Sequence, residues 1–303
     1  MNRKLIVTTA VAVAAIALAG CGGSGDDGTG ETKPDITIAS KQFPESEIVT
    51  EAYKQALEAK GYNVTRKDLA SSAIAMAALE KGDISMYPDY TTTLLTDILG
   101  DSNPPADVDA QVAAMKEGLA AKGVAVLNPA PFNNDNEVAC TKAAVDKYKL
   151  TNLSSLGKAS PNLVYSANPE HTTRNDGLPL LESAYGVKFK RVIKVAISLR
   201  YRPIEQKQAD CVYAFGTDPQ IATNKLVVLS DDKGKFQGAP YQGIPVVSQS
   251  VLDTAPADFA QTINAVSAAL TSDAVRGMNA AVTLDKQDPE DVAGEFLKNA
   301  GLN

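Results

Sequence analysis

The stretch "GDISMYPDYTTTLLTDILG", residues 82–100, changes character halfway along. Ile84, Met86 and Tyr87 read as a short strand. Beyond Pro88 come Tyr90, three threonines, and then Leu94, Leu95, Ile98 and Leu99 at helical spacing. Two readings of this junction stand. Thr and Asp favour helix starts, so the segment can be a strand, a turn and an N-cap. Alternatively its ring and hydroxyls hold a ligand, because α/β sheets bind ligands beyond the carboxyl ends of their strands.

The flanks extend the same alternation. "DITIAS" (35–40) has the period of a strand, and "SEIVTEAYKQALEAKG" (46–61) repeats apolar residues at helical spacing before closing on Gly61. "YNVTRKDL" (62–69) is a second strand, and "SSAIAMAALEKGD" (71–83) a helix capped by Ser71 or Ser72. From about Phe132 come short strands at 137–141, 162–167, 189–196, 210–215 and 226–236, with a helix at 176–186 among them. After Pro245 the pattern turns helical, ending in "DPEDVAGEFLKNAG" (288–301), with an Asp cap, a proline at the first helical position and a closing glycine. Strands alternating with helices predict mostly parallel sheet covered on both faces.

The N-terminus reads as an export signal. Arg3 and Lys4 precede an apolar run, Leu5 to Ala19, that is short for a membrane span. It closes on Leu18-Ala19-Gly20-Cys21, which looks like the lipobox of a bacterial lipoprotein, in which the Cys21 thiol takes a diacylglyceryl group. An ordinary signal peptide with a chance cysteine is the other reading. "GGSGDDGTGETKP" (22–34) has nothing to bury and reads as a flexible tether. The chain carries 29 basic and 36 acidic residues, a balance of −7. That acidity argues against nucleic acid, whose binding needs basic patches. Apart from Cys21 there are two cysteines, Cys140 and Cys211. In an oxidising milieu a disulfide between them is the first reading, and two buried free thiols the second.

Catalytic patterns are missing. The single histidine, His171, lies in the polar run "NPEHTTRND", and there is no nucleophile elbow, P-loop, dinucleotide fingerprint or paired-His zinc motif. Two cysteines and one histidine make a poor metal site. No enzyme, cofactor or metal is expected; an extracytoplasmic enzyme of unrecognised type using His171 is the minor reading.

Five separated segments then carry a resemblance: "IASKQFPESEIVTEAYKQALEAKGYNV" (38–64), "AALEKGDISMYPDYTTTLL" (77–95), "TTRNDGLPLLESAYGVKF" (172–189), "FGTDPQI" (215–221) and "YQGIPVV" (241–247). In order and spacing they resemble the osmoprotectant substrate-binding proteins of ABC transporters, of the glycine betaine, carnitine and choline type. The likeness implies a two-lobed α/β periplasmic-binding-protein fold (type II), each lobe a mostly parallel sheet flanked by helices, joined by two crossover strands. With 1–20 as signal peptide and 21–34 as anchor and tether, 35–131 plus 242–303 would form one lobe and 132–241 the other. Ligand would lie in an interlobe aromatic cleft.

In that family tyrosines cage a quaternary ammonium, which has no N–H to donate and is drawn to ring faces at roughly 0.5–2 kcal/mol each. Cationic side chains fix the ligand's carboxylate. By resemblance Tyr90, Phe215 and Tyr241 supply rings, and Thr93, Lys41 and Arg174 meet the acid; Asn134 and Asn136 line the cleft. Two cage positions depart from the family pattern: a tyrosine is replaced by Asn136, and another by Phe215. Loss of one wall weakens trimethylammonium binding by about 1–2 kcal/mol. The expected function is a monomeric, lipid-anchored binding protein on the extracytoplasmic face of the cell membrane. It hands a compatible solute to an ABC permease with its ATPase subunits. The alternative is the same fold with a diverged polar or aromatic ligand, because of Asn136.

Overall fold

A computed structural model describes residues 33–303, which form one compact unit. The leader, the lipobox Cys21 and most of the tether lie outside the described residues. Among the described residues no helix is long and apolar enough to cross a membrane.

Ten strands make two five-stranded sheets. The first contains β1 (Ile36–Lys41), β2 (Val64–Leu69), β3 (Met86–Tyr90), β4 (Val124–Val126) and β10 (Gly243–Ser248), in the order β2-β1-β3-β10-β4. The second contains β5 (Asn136–Thr141), β6 (Val164–Ala167), β7 (Arg191–Lys194), β8 (Cys211–Phe215) and β9 (Leu226–Val228), in the order β7-β6-β8-β5-β9. One strand in each runs against its neighbours: β10 is antiparallel to β3 and β4, and β5 to β8 and β9. Each of these two enters directly from the other sheet, so the chain crosses between β4 and β5 and again between β9 and β10. An antiparallel bridge, Asn133 to Gln242, ties the crossings together.

Helices cover both faces. α1 (Pro44–Ala59) starts on a proline at its first turn, beside Glu45 and Glu47, and ends where Gly61 takes a φ of 83°. Its Ile48, Ala52, Tyr53 and Leu57 pack with Ile36, Ile38 and Met86 and with Phe259, Ile263 and Val266 of the helix Ala257–Ala269. α2 (Ser72–Glu80) covers the opposite face, where Met76 and Leu79 meet Tyr87, Leu94, Val126 and Ile244.

The junction at 82–100 differs from its sequence reading at both ends of the strand, which begins at Met86 and leaves Ile84 outside. β3 does not stop at Pro88 but runs through it to Tyr90. Pro88 lies directly opposite Pro245 of β10. Neither residue has an N–H to give, so this is a non-hydrogen-bonded pair of the ladder, where two prolines cost no bond. The helix then begins at Thr91, with its later turn, Leu94–Ile98, wound as a π-helix.

Candidate functional site

β3 delivers Asp89 and Tyr90 to the carboxyl end of the first sheet, and β1 delivers Lys41 beside them. The three threonines that follow divide their work. Thr91 and Thr92 both donate to the carbonyl of Pro240, 2.8 Å in each case, and so pin the returning crossing. Thr93 alone faces the pocket, where its hydroxyl accepts from Arg174 Nη2 at 3.3 Å.

One pocket gathers all eight residues singled out from sequence: Lys41, Tyr90, Thr93, Asn134, Asn136, Arg174, Phe215 and Tyr241. Phe43 and Glu170 complete its main walls. Residues attached to both sheets therefore close on one space. The free room between them is about 20 Å³, enough for about one water. A wider groove of about 550 Å³ adjoins it, sharing Glu170, Arg174 and Ile197 as its wall.

Both cations arrive already engaged. Lys41 is 7% exposed, and its Nζ donates to Asp89 Oδ1 at 2.7 Å and to Ser72 Oγ at 3.1 Å. The same ammonium lies 4.9 Å from the centre of the Tyr90 ring and 5.9 Å from that of Phe43. Arg174 grips Asp176 through two nitrogens, with Nε to Oδ1 at 2.6 Å. Burial alone would lower the Arg174 pKa, but the Asp176 carboxylate outweighs it and holds the guanidinium protonated. Burial likewise opposes the Asp176 charge, yet Arg174 pulls its pKa below the usual carboxylate range.

The rings are similarly occupied. The Arg200 guanidinium carbon lies 4.6 Å from the centre of Phe215, which also packs against Phe43 and Tyr213. Tyr241 carries no protein cation over its ring among the described residues. Its hydroxyl accepts from Asn136 Nδ2 at 2.9 Å and donates to Asp176 Oδ2 at 3.0 Å. Asn136, 1% exposed, accepts from the Tyr213 hydroxyl at 2.6 Å. Asn136 is thus an amide that joins two tyrosine hydroxyls.

Asn134 belongs to a second network, around the buried carboxyl of Glu45, which the Tyr90 hydroxyl and Asn134 Nδ2 both reach. Glu45, Asp89 and Asp176 were not singled out from sequence, since a carboxylate read without its partners looks like a solvated surface group. Their positions beside Phe43, Tyr90 and Arg174 were the available signal. Asp135 turns away from the pocket, accepting from Asn133.

His171 is not in an exposed polar loop. It is 1% exposed, stacked on Tyr213 at 3.8 Å, and bonded through Nε2 to the Tyr165 hydroxyl. Burial, helped by the charge of Arg174, lowers its pKa to about 3, so the ring is neutral at physiological pH. Cys140 and Cys211, direct partners on β5 and β8, are joined as a disulfide.

Comparison with known proteins places this geometry. The family model described as OpuAC, substrate binding domain of ABC-type glycine betaine transport system, matches residues 34–299. A glycine-betaine-binding protein of Pseudomonas aeruginosa is 28% identical over 278 residues, 88% of each chain. The glycine betaine-binding protein YehZ of Escherichia coli is 28% identical over 280 residues, 88% of this chain and 90% of that one. A crystal structure of a glycine betaine/carnitine/choline ABC transporter protein superposes with a TM-score of 0.67 at 27% identity, covering 88% of this chain and 99% of the other. The fold is that of the type II periplasmic binding proteins, and these relatives are transport components rather than enzymes. With a family match across nearly all of the described residues, the chain belongs to the substrate-binding proteins of the glycine betaine/carnitine ABC transporter family, extracytoplasmic proteins that take a small molecule to a permease.

Proposed function

We propose that this protein captures a quaternary-amine or zwitterionic compatible solute, of the glycine betaine, choline or carnitine type, between lobes 35–131 plus 242–303 and 132–241. In this reading Tyr90, Phe215 and Tyr241 receive the methylated ammonium, and Arg174, Lys41 and Thr93 receive a carboxylate. Cys21 carries the lipid that holds the body at the extracytoplasmic face, where it delivers the solute to its permease as a monomer. The observation that carries the reading is the convergence of all eight residues on one pocket. About 20 Å³ is too little for such a solute, so the walls part to admit it and close behind it. Calorimetric titration of the purified protein with glycine betaine, choline and carnitine tests this. Micromolar binding of one of them is expected, and no binding of any would end the reading.

A second reading has its own support. Two of the three rings already face protein cations, and Asn136 puts an amide where a fourth wall would stand. These features favour a more polar ligand on the same fold. A thermal-shift screen separates the two: a ligand that binds only the folded state raises the melting point. A shift with polar or aromatic solutes but not with betaines would favour the divergent ligand.

A further inference from the structure

Glu45 lies in the first turn of α1, 4% exposed, between the two sheets. Four donors surround its carboxyl. The Tyr90 hydroxyl reaches Oε1 at 2.5 Å and Asn134 Nδ2 at 2.7 Å; Asn279 Nδ2 reaches Oε2 at 2.8 Å, and the Thr217 hydroxyl closes on Oε2 as well. Tyr90 and Asn279 come from the first sheet and its helices, Asn134 from a crossing, and Thr217 from the turn after β8.

Counting protons around Thr217 exposes a shortage. Its backbone N–H can only donate, and it points to Asn134 Oδ1, which fixes the orientation of that amide. The Thr217 hydroxyl lies 2.7 Å from the same Oδ1 and also against Glu45 Oε2. One hydroxyl hydrogen thus faces two acceptors at hydrogen-bonding distance. With a proton on Glu45 Oε2 the shortage disappears: Glu45 donates to Thr217, Thr217 donates to Asn134, and both amide donors keep their acceptors.

The charges nearby do not supply an alternative. Glu45 shares its surroundings with Asp89, Tyr90 and Tyr53 on one side, and with Asp218, Arg200 and Lys286 on the other. Arg200 is paired with Asp218, Lys41 with Asp89, and among the described residues no cation reaches ion-pair distance of Glu45. Burial raises the Glu45 pKa, partly opposed by its bonds to Thr217, Tyr90 and Asn279, with Asp218 adding to the rise. A cavity of about 170 Å³ is lined by Glu45 and Asp218.

We propose that Glu45 is a proton-binding site completed when Thr217 docks on it, so that closure on ligand takes one proton from solution. The inference rests on the reading of this chain as a binding protein that closes on its ligand. Parted, the sheets would open Glu45 to water and let it ionise as an ordinary carboxyl does; together, they hold it as the neutral acid.

Glycine betaine and choline, titrated calorimetrically into the full protein in buffers of different ionisation enthalpy, count the proton. The wild type should take up close to one proton per ligand near neutral pH, with affinity falling up to about tenfold per pH unit. Glu45→Gln should take up none and bind with a flat pH profile. Binding without proton exchange overturns the proton site and leaves the transport reading standing. If neither compound nor carnitine binds, the quaternary-amine reading fails, and the same proton count is made with the polar or aromatic solute that raises the melting point. With ligand bound, the closed carboxyl keeps its proton over a window in which the unfolded chain has lost it, so the stability of the liganded wild type should fall relative to liganded Glu45→Gln as pH rises above the ordinary carboxylate range. Parallel curves overturn the inference. Should Glu45→Gln not fold, the wild-type proton count decides alone, and binding with no proton taken up overturns the inference.

Discussion

Arg174 enters the pocket with its charge already committed to Asp176, and that pairing decides what its loss does. Arg174→Ala removes a donor for a ligand carboxylate and leaves Asp176 buried without its cation. Carboxylate-bearing glycine betaine and carnitine should lose about 2 kcal/mol or more, roughly thirtyfold in affinity. Choline, a cation without a carboxylate, should keep its affinity or gain. Calorimetry on both ligands checks the contrast, and equal losses would remove Arg174 from the carboxylate role. Asn136→Ala leaves the Tyr213 hydroxyl without its acceptor in a buried site, while the Tyr241 hydroxyl keeps Asp176. A cost of about 1–3 kcal/mol is expected, a fall in melting temperature of several degrees by calorimetry. At this scale the aromatic and cationic positions were legible because family motifs carry them in register. Their partners Asp89, Asp176 and Glu45 were not, since nothing local in a chain says that a carboxylate is buried.

Most strands and helices were legible in kind, but β4 and the helix Val108–Ala120 were not picked out, and the stretch after Pro245 that reads as helical begins inside strand β10. Residues 189–196 have strand composition throughout, yet only Arg191–Lys194 pair, because their one partner strand, β6, offers four positions. Pro88 reads as a strand stop because proline lacks a donor; it is harmless because it falls at a non-hydrogen-bonded position of the ladder with β10, a strand the chain supplies only from Gly243. Two element-scale changes test the packing. The bond between Cys140 and Cys211 spans 71 residues, and its removal by a double alanine substitution should cost about 4 kcal/mol by loop-closure entropy. Denaturant titration of the oxidised protein and the variant measures it. Gly157, on the helix Leu153–Ala159, lies close against the end of the helix Leu178–Tyr185: an added Cβ would lie 1.9 Å from the carbonyl oxygen of Tyr185. Gly157→Ala should destabilise by about 1–3 kcal/mol as the two helices are pushed apart.

Across the whole molecule, ligand and stability are linked by mass action. A solute at a hundredfold excess over its dissociation constant should stabilise the protein by about 2.7 kcal/mol, and the melting temperature should rise by several degrees with ligand concentration. Failure of any quaternary amine to shift it would count against the proposed ligand class. The position of β10 has a further consequence. This strand lies between β3 and β4, and β4 has no other partner in its sheet. As the chain emerges from a ribosome or an export channel, the sheet begun at Ile36 stays incomplete until residue 248 has appeared. The β5–β9 sheet is one uninterrupted stretch and can assemble before that. A nascent chain ending before Gly243 should therefore protect the amides of the later-encoded sheet from exchange while those of β4 remain open, so that the half of the protein made first is the half finished last.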